Sequence, residues 1–99
     1  MPEDEEPVSV TDDTRRHRYE AHVGDDLAGF ITYRSGPGVI VLVHTEVDPA
    51  FEGHGVGGRL AAFALDDIAA RGLQVDPMCP FVAAYIERHP HYAGLVAPR

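Results

Sequence analysis

Val39-Ile40-Val41-Leu42-Val43-His44-Thr45-Glu46-Val47, then Asp48-Pro49, then Glu52-Gly53-His54-Gly55-Val56-Gly57-Gly58-Arg59-Leu60: the fold is decided along this stretch. The aliphatic run from Val39 to Val43 has no polar alternation, which predicts a strand covered on both faces. The strand continues through Val47, and Asp48-Pro49 stops it. Beyond the glycines, Val56, Leu60, Phe63, Ala64 and Ile68 recur at three- and four-residue steps among alanines. That period predicts a helix over 56–71, ended by Arg71-Gly72. Leu73-Gln74-Val75 predicts a short strand. Strand, helix and strand in this order form a crossover unit, which requires parallel pairing in the sheet.

Upstream, Tyr19, Ala21 and Val23 alternate with Arg18, Glu20 and His22, the pattern of a half-buried strand over 17–23. Gly24-Asp25-Asp26 is a turn, and Leu27 to Tyr33 reads as a second strand, so the two form a hairpin. Ser35-Gly36-Pro37-Gly38 is a strong turn before the central strand. Downstream, Pro80 stands near the start and Pro90 at the end of a helix over 81–89. The tail packs through Tyr92, Leu95 and Val96. The expected fold class is α/β, a mixed sheet in β-β-β-α-β-α order.

The chain has 99 residues and a formal charge of −8, with sixteen acids against eight basic residues, all of them Arg. Six of those acids lie in residues 1–13 without a basic partner. Residues 1–14 therefore read as an acidic, disordered leader, and 15–99 as a single folded, nearly neutral domain. No basic footprint for nucleic acid is present, no apolar run has the length of a membrane span, and no signal-peptide pattern opens the chain. One Cys cannot form an internal disulfide. These features predict a cytoplasmic protein that binds neither nucleic acid nor membrane; the expected state is a monomer or weak homodimer, which no sequence feature fixes.

Four glycines fall within residues 53–58, between a strand end and a helix start. Glycine lets the backbone approach a ligand closely. The first N–H groups of the helix have no internal partner, and its dipole adds positive potential. Together they suit a phosphate without any Lys. Gly58-Arg59-Leu60 lacks the Lys-Ser/Thr ending of a nucleotide triphosphate loop. Gly53, Gly55 and Gly57 have the wrong spacing for a dinucleotide fingerprint. His54, His89 and His91 lack zinc-ligand spacing, so no metal is expected.

The stretch Val47 to Leu60 resembles the acetyl-coenzyme A loop of the GNAT superfamily, the general-control-type N-acetyltransferases. Glu52 stands where Gln or Arg is usual. His44-Thr45-Glu46-Val47 before the loop, and Cys79-Pro80-Phe81-Val82 with Arg88-His89-Pro90 after it, resemble the minimal single-domain GNAT-like family of predicted acetyltransferases. That family lacks the superfamily's N-terminal helices. The resemblance covers residues 17–96 and implies acetyl-CoA as cofactor and an unidentified amine as acceptor. It places the pyrophosphate on Gly53, His54, Gly55, Val56, Gly57 and Gly58, with Arg59 close by. Pantetheine would run along the strand edge at Thr45 and Val47, its thioester aimed at the gap beside residues 73–76.

Three residues are candidates for chemistry. Cys79 precedes a helix, a position that activates a thiol, and reads as nucleophile, as proton donor or as a buried apolar residue. His44 and Glu46 are two apart on a strand and share one face, so either could remove a proton from an ammonium acceptor. Their plain structural reading is a satisfied core His and a solvated Glu. Tyr85 lacks the spacing of the superfamily's general acid. The implied activity is acetyl transfer to an amine. A non-catalytic CoA or acyl-CoA sensor working with a partner protein is the alternative, and a purely structural interaction module a further one.

Overall fold

The computed structural model describes residues 7–98. Five strands form one sheet in the order β1-β2-β3-β4-β5: β1 (Val8–Asp13), β2 (Arg18–Val23), β3 (Asp26–Gly36), β4 (Val39–Val47) and β5 (Gln74–Pro77). Neighbours are antiparallel except β4 and β5, which are parallel and joined by helix α1 (Val56–Ala70). A second helix, α2 (Pro80–Arg88), follows β5. The α/β class and the crossover unit match expectation, with one strand more than expected.

The extra strand is β1, which corrects the leader reading. Val8 and Val10 alternate with Ser9 and Thr11, and Val8 reaches the core. The acids that made this segment look solvated are partnered: Asp12 accepts from the Tyr33 hydroxyl at 2.6 Å, and Asp13 from Arg16 at 3.2 Å. The part of the leader expectation that falls on residues 1–6 lies outside the described residues.

The central strand also differs from expectation. Ile40 and Leu42 are buried against the helices, whereas Val39, Val41 and Val43 are only half-buried. The core thus sits on one face, where Tyr19, Ala21, Ile31, Ile40 and Leu42 meet Leu60, Ala64 and Ile68 of α1 and Val82 of α2. An aliphatic run reads the same whether its second face is covered or merely half-shielded.

Register explains where the functional residues go. In the β3–β4 ladder, Thr32 faces His44 but Tyr33 faces Leu42, so Val43 is an extra residue, a β-bulge. Before it, Ile40 and Leu42 point to the helices. After it the parity is reversed. His44 and Glu46 point out, while Val47 packs on the core and Thr45 is half-buried. The same bulge lies where β5 parts from β4: the parallel pairing ends at Leu42–Pro77 and the Cys79 N–H to Leu42 carbonyl bond of 2.9 Å.

Candidate functional site

The loop after β4 begins with a 3-10 turn, Pro49–Phe51, capped by Asp48, whose carboxylate accepts from the Ala50 N–H at 2.9 Å. Gly53 (φ 87°) and Gly55 (φ 74°) then take left-handed backbone, which a side chain would strain. His54 is pinned to the loop, since its N–H and its Nδ1 both donate to the Phe51 carbonyl, at 3.2 and 2.9 Å. Gly55 is the N-cap of α1 and offers no side-chain acceptor. Among the described residues, the loop's own backbone bonds engage the N–H groups of Phe51, Glu52, His54 and Arg59. The N–H groups of Gly53, Gly55, Val56, Gly57 and Gly58 are left for a ligand.

Helix α2 walls this opening. A Cβ on Gly57 would lie 2.8 Å from the Phe81 ring, and one on Gly58 would lie 3.9 Å from Tyr85. Phe81 therefore covers the first turn of α1 because position 57 has no side chain. Tyr85 stacks on His89 (3.9 Å between centroids, 17° between planes). Val56 is buried and anchors the turn in the core. Arg59, singled out for a phosphate, donates to the Val8 carbonyl at 3.1 Å and ties α1 to β1.

Beyond Leu42, the β5-facing edge of β4 has no strand partner among the described residues, so residues 43–47 offer backbone groups to an extended ligand. Cys79 stands beside this edge as the N-cap of α2, with 3% of its surface exposed. Its Sγ lies 3.1 Å from the Thr45 hydroxyl.

His44 and Glu46 lie on the other face, with side chains 61% and 63% exposed, and His44 Nε2 donates to Glu46 Oε1 at 3.3 Å. The three residues singled out for chemistry thus separate: Cys79 pairs with Thr45 and His44 with Glu46, and the pleat of β4 holds the two pairs on opposite sides. Among the described residues, no three of His, Cys, Asp or Glu converge as metal ligands would.

Three contributors have no role at the site assigned from sequence alone. Phe81 and Tyr85 look like ordinary positions of an amphipathic helix. Gly29 inside β3 carries the one available signal, since glycine in a strand marks a close approach of backbone. A Cβ there would lie 2.7 Å from the Glu46 carbonyl and 3.1 Å from Val56 Cγ1. Its absence lets the first residue of α1 rest on the sheet.

A phosphate-bearing, extended ligand fits these features: free N–H groups at a helix start, a free strand edge running away from them, and a Gly57 cleft that a Cβ would fill. Residues 18–95 match the sequence model of the GCN5-related N-acetyl-transferase family. The chain belongs to that family. It is similar to protein NATD1 of Homo sapiens, at 29% identity over 86 residues, which covers 85% of this chain and 76% of that protein. The likeness to protein NATD1 of Bos taurus is 29% over 91 residues (90% and 80% of the two chains), and to that of Gallus gallus 28% over 86 (85% and 78%). The family match begins at Arg18, the first residue of β2, so it leaves out β1.

Proposed function

We propose that the chain binds acetyl-CoA and transfers its acetyl group to an amine. The observation that carries this is the set of unpaired N–H groups of Gly53, Gly55, Val56, Gly57 and Gly58, which leads into the unpaired edge of β4, in a member of an N-acetyltransferase family. Acetyl-CoA supplies the activated acyl group as a thioester. The protein supplies position. The helix start holds the diphosphate through oriented dipoles, and the β4 edge holds the pantetheine arm as an added strand. An N–H near Val47 would be placed to hydrogen-bond the acyl carbonyl of the bound thioester and polarise it. Across β4, the His44–Glu46 pair takes the proton of the ammonium acceptor, directly or through water. The Thr45 hydroxyl orients the Cys79 thiol beside the strand edge.

Acetyl-CoA at about 100 times its Kd is expected to add ~2.7 kcal/mol of stability. For a domain of this size that raises Tm by more than about 10 °C. Backbone amide resonances at residues 53–58 should shift with it. No shift in either observable defeats the cofactor reading. Replacing Cys79 with Ala separates the chemical routes. Turnover that persists with intact CoA binding leaves direct attack by the amine, whereas loss of turnover with intact CoA binding identifies the thiol as a participant.

One observation favours the alternative of a CoA sensor: the His44–Glu46 pair is more than half exposed, so the acceptor side is open. A turnover assay across small amines and Lys peptides decides between the two readings.

A further inference from the structure

A depression of about 170 Å3 opens at the end of the sheet where β3 and β4 reach the loop. It belongs neither to the loop cradle nor to the free strand edge. Local sequence builds it. In the β2–β3 ladder, Ala21 faces Gly29 and His22 faces Leu27, so Ala28 is a second bulge, and Leu27 is turned outward. Phe30 and Glu46 are cross-strand partners, which puts their side chains next to each other on the open face. Asp48 spends one carboxylate oxygen on the Ala50 N–H, and Pro49 closes the wall.

The lining combines two carboxylates with the apolar surfaces of Leu27, Phe30 and Pro49, and no Arg among the described residues is part of it. The nearby cation is Arg18, 4.6 Å above the Phe30 ring, and it is neutralised by Glu20 at 2.6 Å. An anion would be repelled by the carboxylates of Glu46 and Asp48, whose bonds to His44 and to the Ala50 N–H leave each an oxygen free of those partners. A primary ammonium on an unbranched alkyl chain meets opposite charge at its head and apolar walls along its stem. The volume lies below the ~300–1,000 Å3 of sites that enclose a whole drug-sized ligand, so one narrow end of a molecule enters. Glu46 is also the carboxylate bonded to His44 at 3.3 Å, so a bound ammonium lies against the pair assigned to deprotonate it.

We propose that this depression is the acceptor subsite and that it takes a primary alkylammonium end, either of a free diamine or of a Lys side chain. As an acceptor subsite it rests on the acetyl-transfer reading; as a binding site for alkylammonium it is testable alone. The experiment is an amide NMR titration with 1,5-diaminopentane and with Nα-acetyl-lysinamide, with and without CoA. 1-Pentanol and glutarate serve as neutral and anionic counterparts.

Both amines are expected to shift residues 27–30 and 46–48, and neither counterpart should. Glu46→Gln and Asp48→Asn are each expected to weaken amine binding about two- to fivefold, as for other solvent-exposed charge pairs. Asn at 48 keeps the acceptor for Ala50. Tighter binding of the diamine points to a free polyamine, and tighter binding of the lysinamide to protein Lys. The subsite is overturned if the amines leave these residues unmoved, or if pentanol and glutarate move them equally. CoA shifts at 53–58 in the same samples report separately on the cofactor, so amine shifts without CoA shifts would sink the acetyl-transfer reading and leave the amine site.

Discussion

At position 29 the sheet has no room for a methyl group. The atom a Cβ would strike, at 2.7 Å, is the Glu46 backbone carbonyl, which cannot rotate aside. Gly29→Ala is expected to cost ~1–3 kcal/mol, as other overpacking changes do. Chemical denaturation measures it, with CoA affinity expected to fall in parallel because Val56 heads the turn proposed to hold the diphosphate. Gly57 is a contrasting case. Its nearest obstacle is the tip of the half-exposed Phe81 ring, which can move, so Gly57→Ala should leave stability within about 1 kcal/mol and act on CoA affinity instead. The glycines of the loop were legible because they cluster at a helix start. Gly29 was not, because the carbonyl it spares is contributed by β4 and only the folded register brings the two together. Cys79 could be found from its place before Pro80, but its bond to Thr45 spans 34 positions and only the sheet supplies it.

Strand β4 behaves as two half-strands of opposite parity spliced at Val43. Alternation along the sequence does place His44 and Glu46 on one face. Carried through from Ile40 and Leu42 without a break, it would also set them under α1, where their charges would be costly to bury. The bulge turns them to the open face of the sheet and sends Thr45 towards Cys79. A bulge leaves little trace in composition, so the face of the pair was hidden while its pairing was visible. Strand β1 was hidden for another reason: six acids in thirteen residues argue for solvation unless their partners are known. Asp12 shows what the partners do, since it accepts from Tyr33 and lies 3.8 Å from Arg71. Asp12→Ala leaves the largely buried Tyr33 hydroxyl without its acceptor and should cost ~1–3 kcal/mol in a denaturation experiment, with Asp12→Asn costing less.

Over the whole molecule, three tyrosines serve as rivets between elements. Tyr19 of β2 donates to Asp67 of α1 (2.8 Å), Tyr33 of β3 to Asp12 of β1 (2.6 Å), and Tyr92 of the C-terminal segment to Asp66 of α1 (2.8 Å). Burial, and then the bonded carboxylate, raises all three phenols above their ordinary range, Tyr92 up to about 12. Each keeps its proton in the folded chain at a pH where the unfolded chain would release it. Their contribution is therefore complete below the ordinary tyrosine pKa of about 10 and is lost as pH rises through the folded values. Denaturation midpoints should be insensitive to these groups up to about pH 10 and fall from pH 10 to 12, with phenolate absorbance lagging behind that of free tyrosine. A midpoint unchanged across that interval would show that the three bonds hold nothing together. The two margins of the sheet differ. At β5, Val96 forms a parallel bridge to Val75, and the Ala97 N–H bonds to the Val75 carbonyl at 2.8 Å, which occupies that margin. At β1 the outer margin has no strand neighbour among the described residues. A second copy paired to β1 about a two-fold axis would occupy the same margin in both subunits, so strand-to-strand joining through β1 ends at a pair.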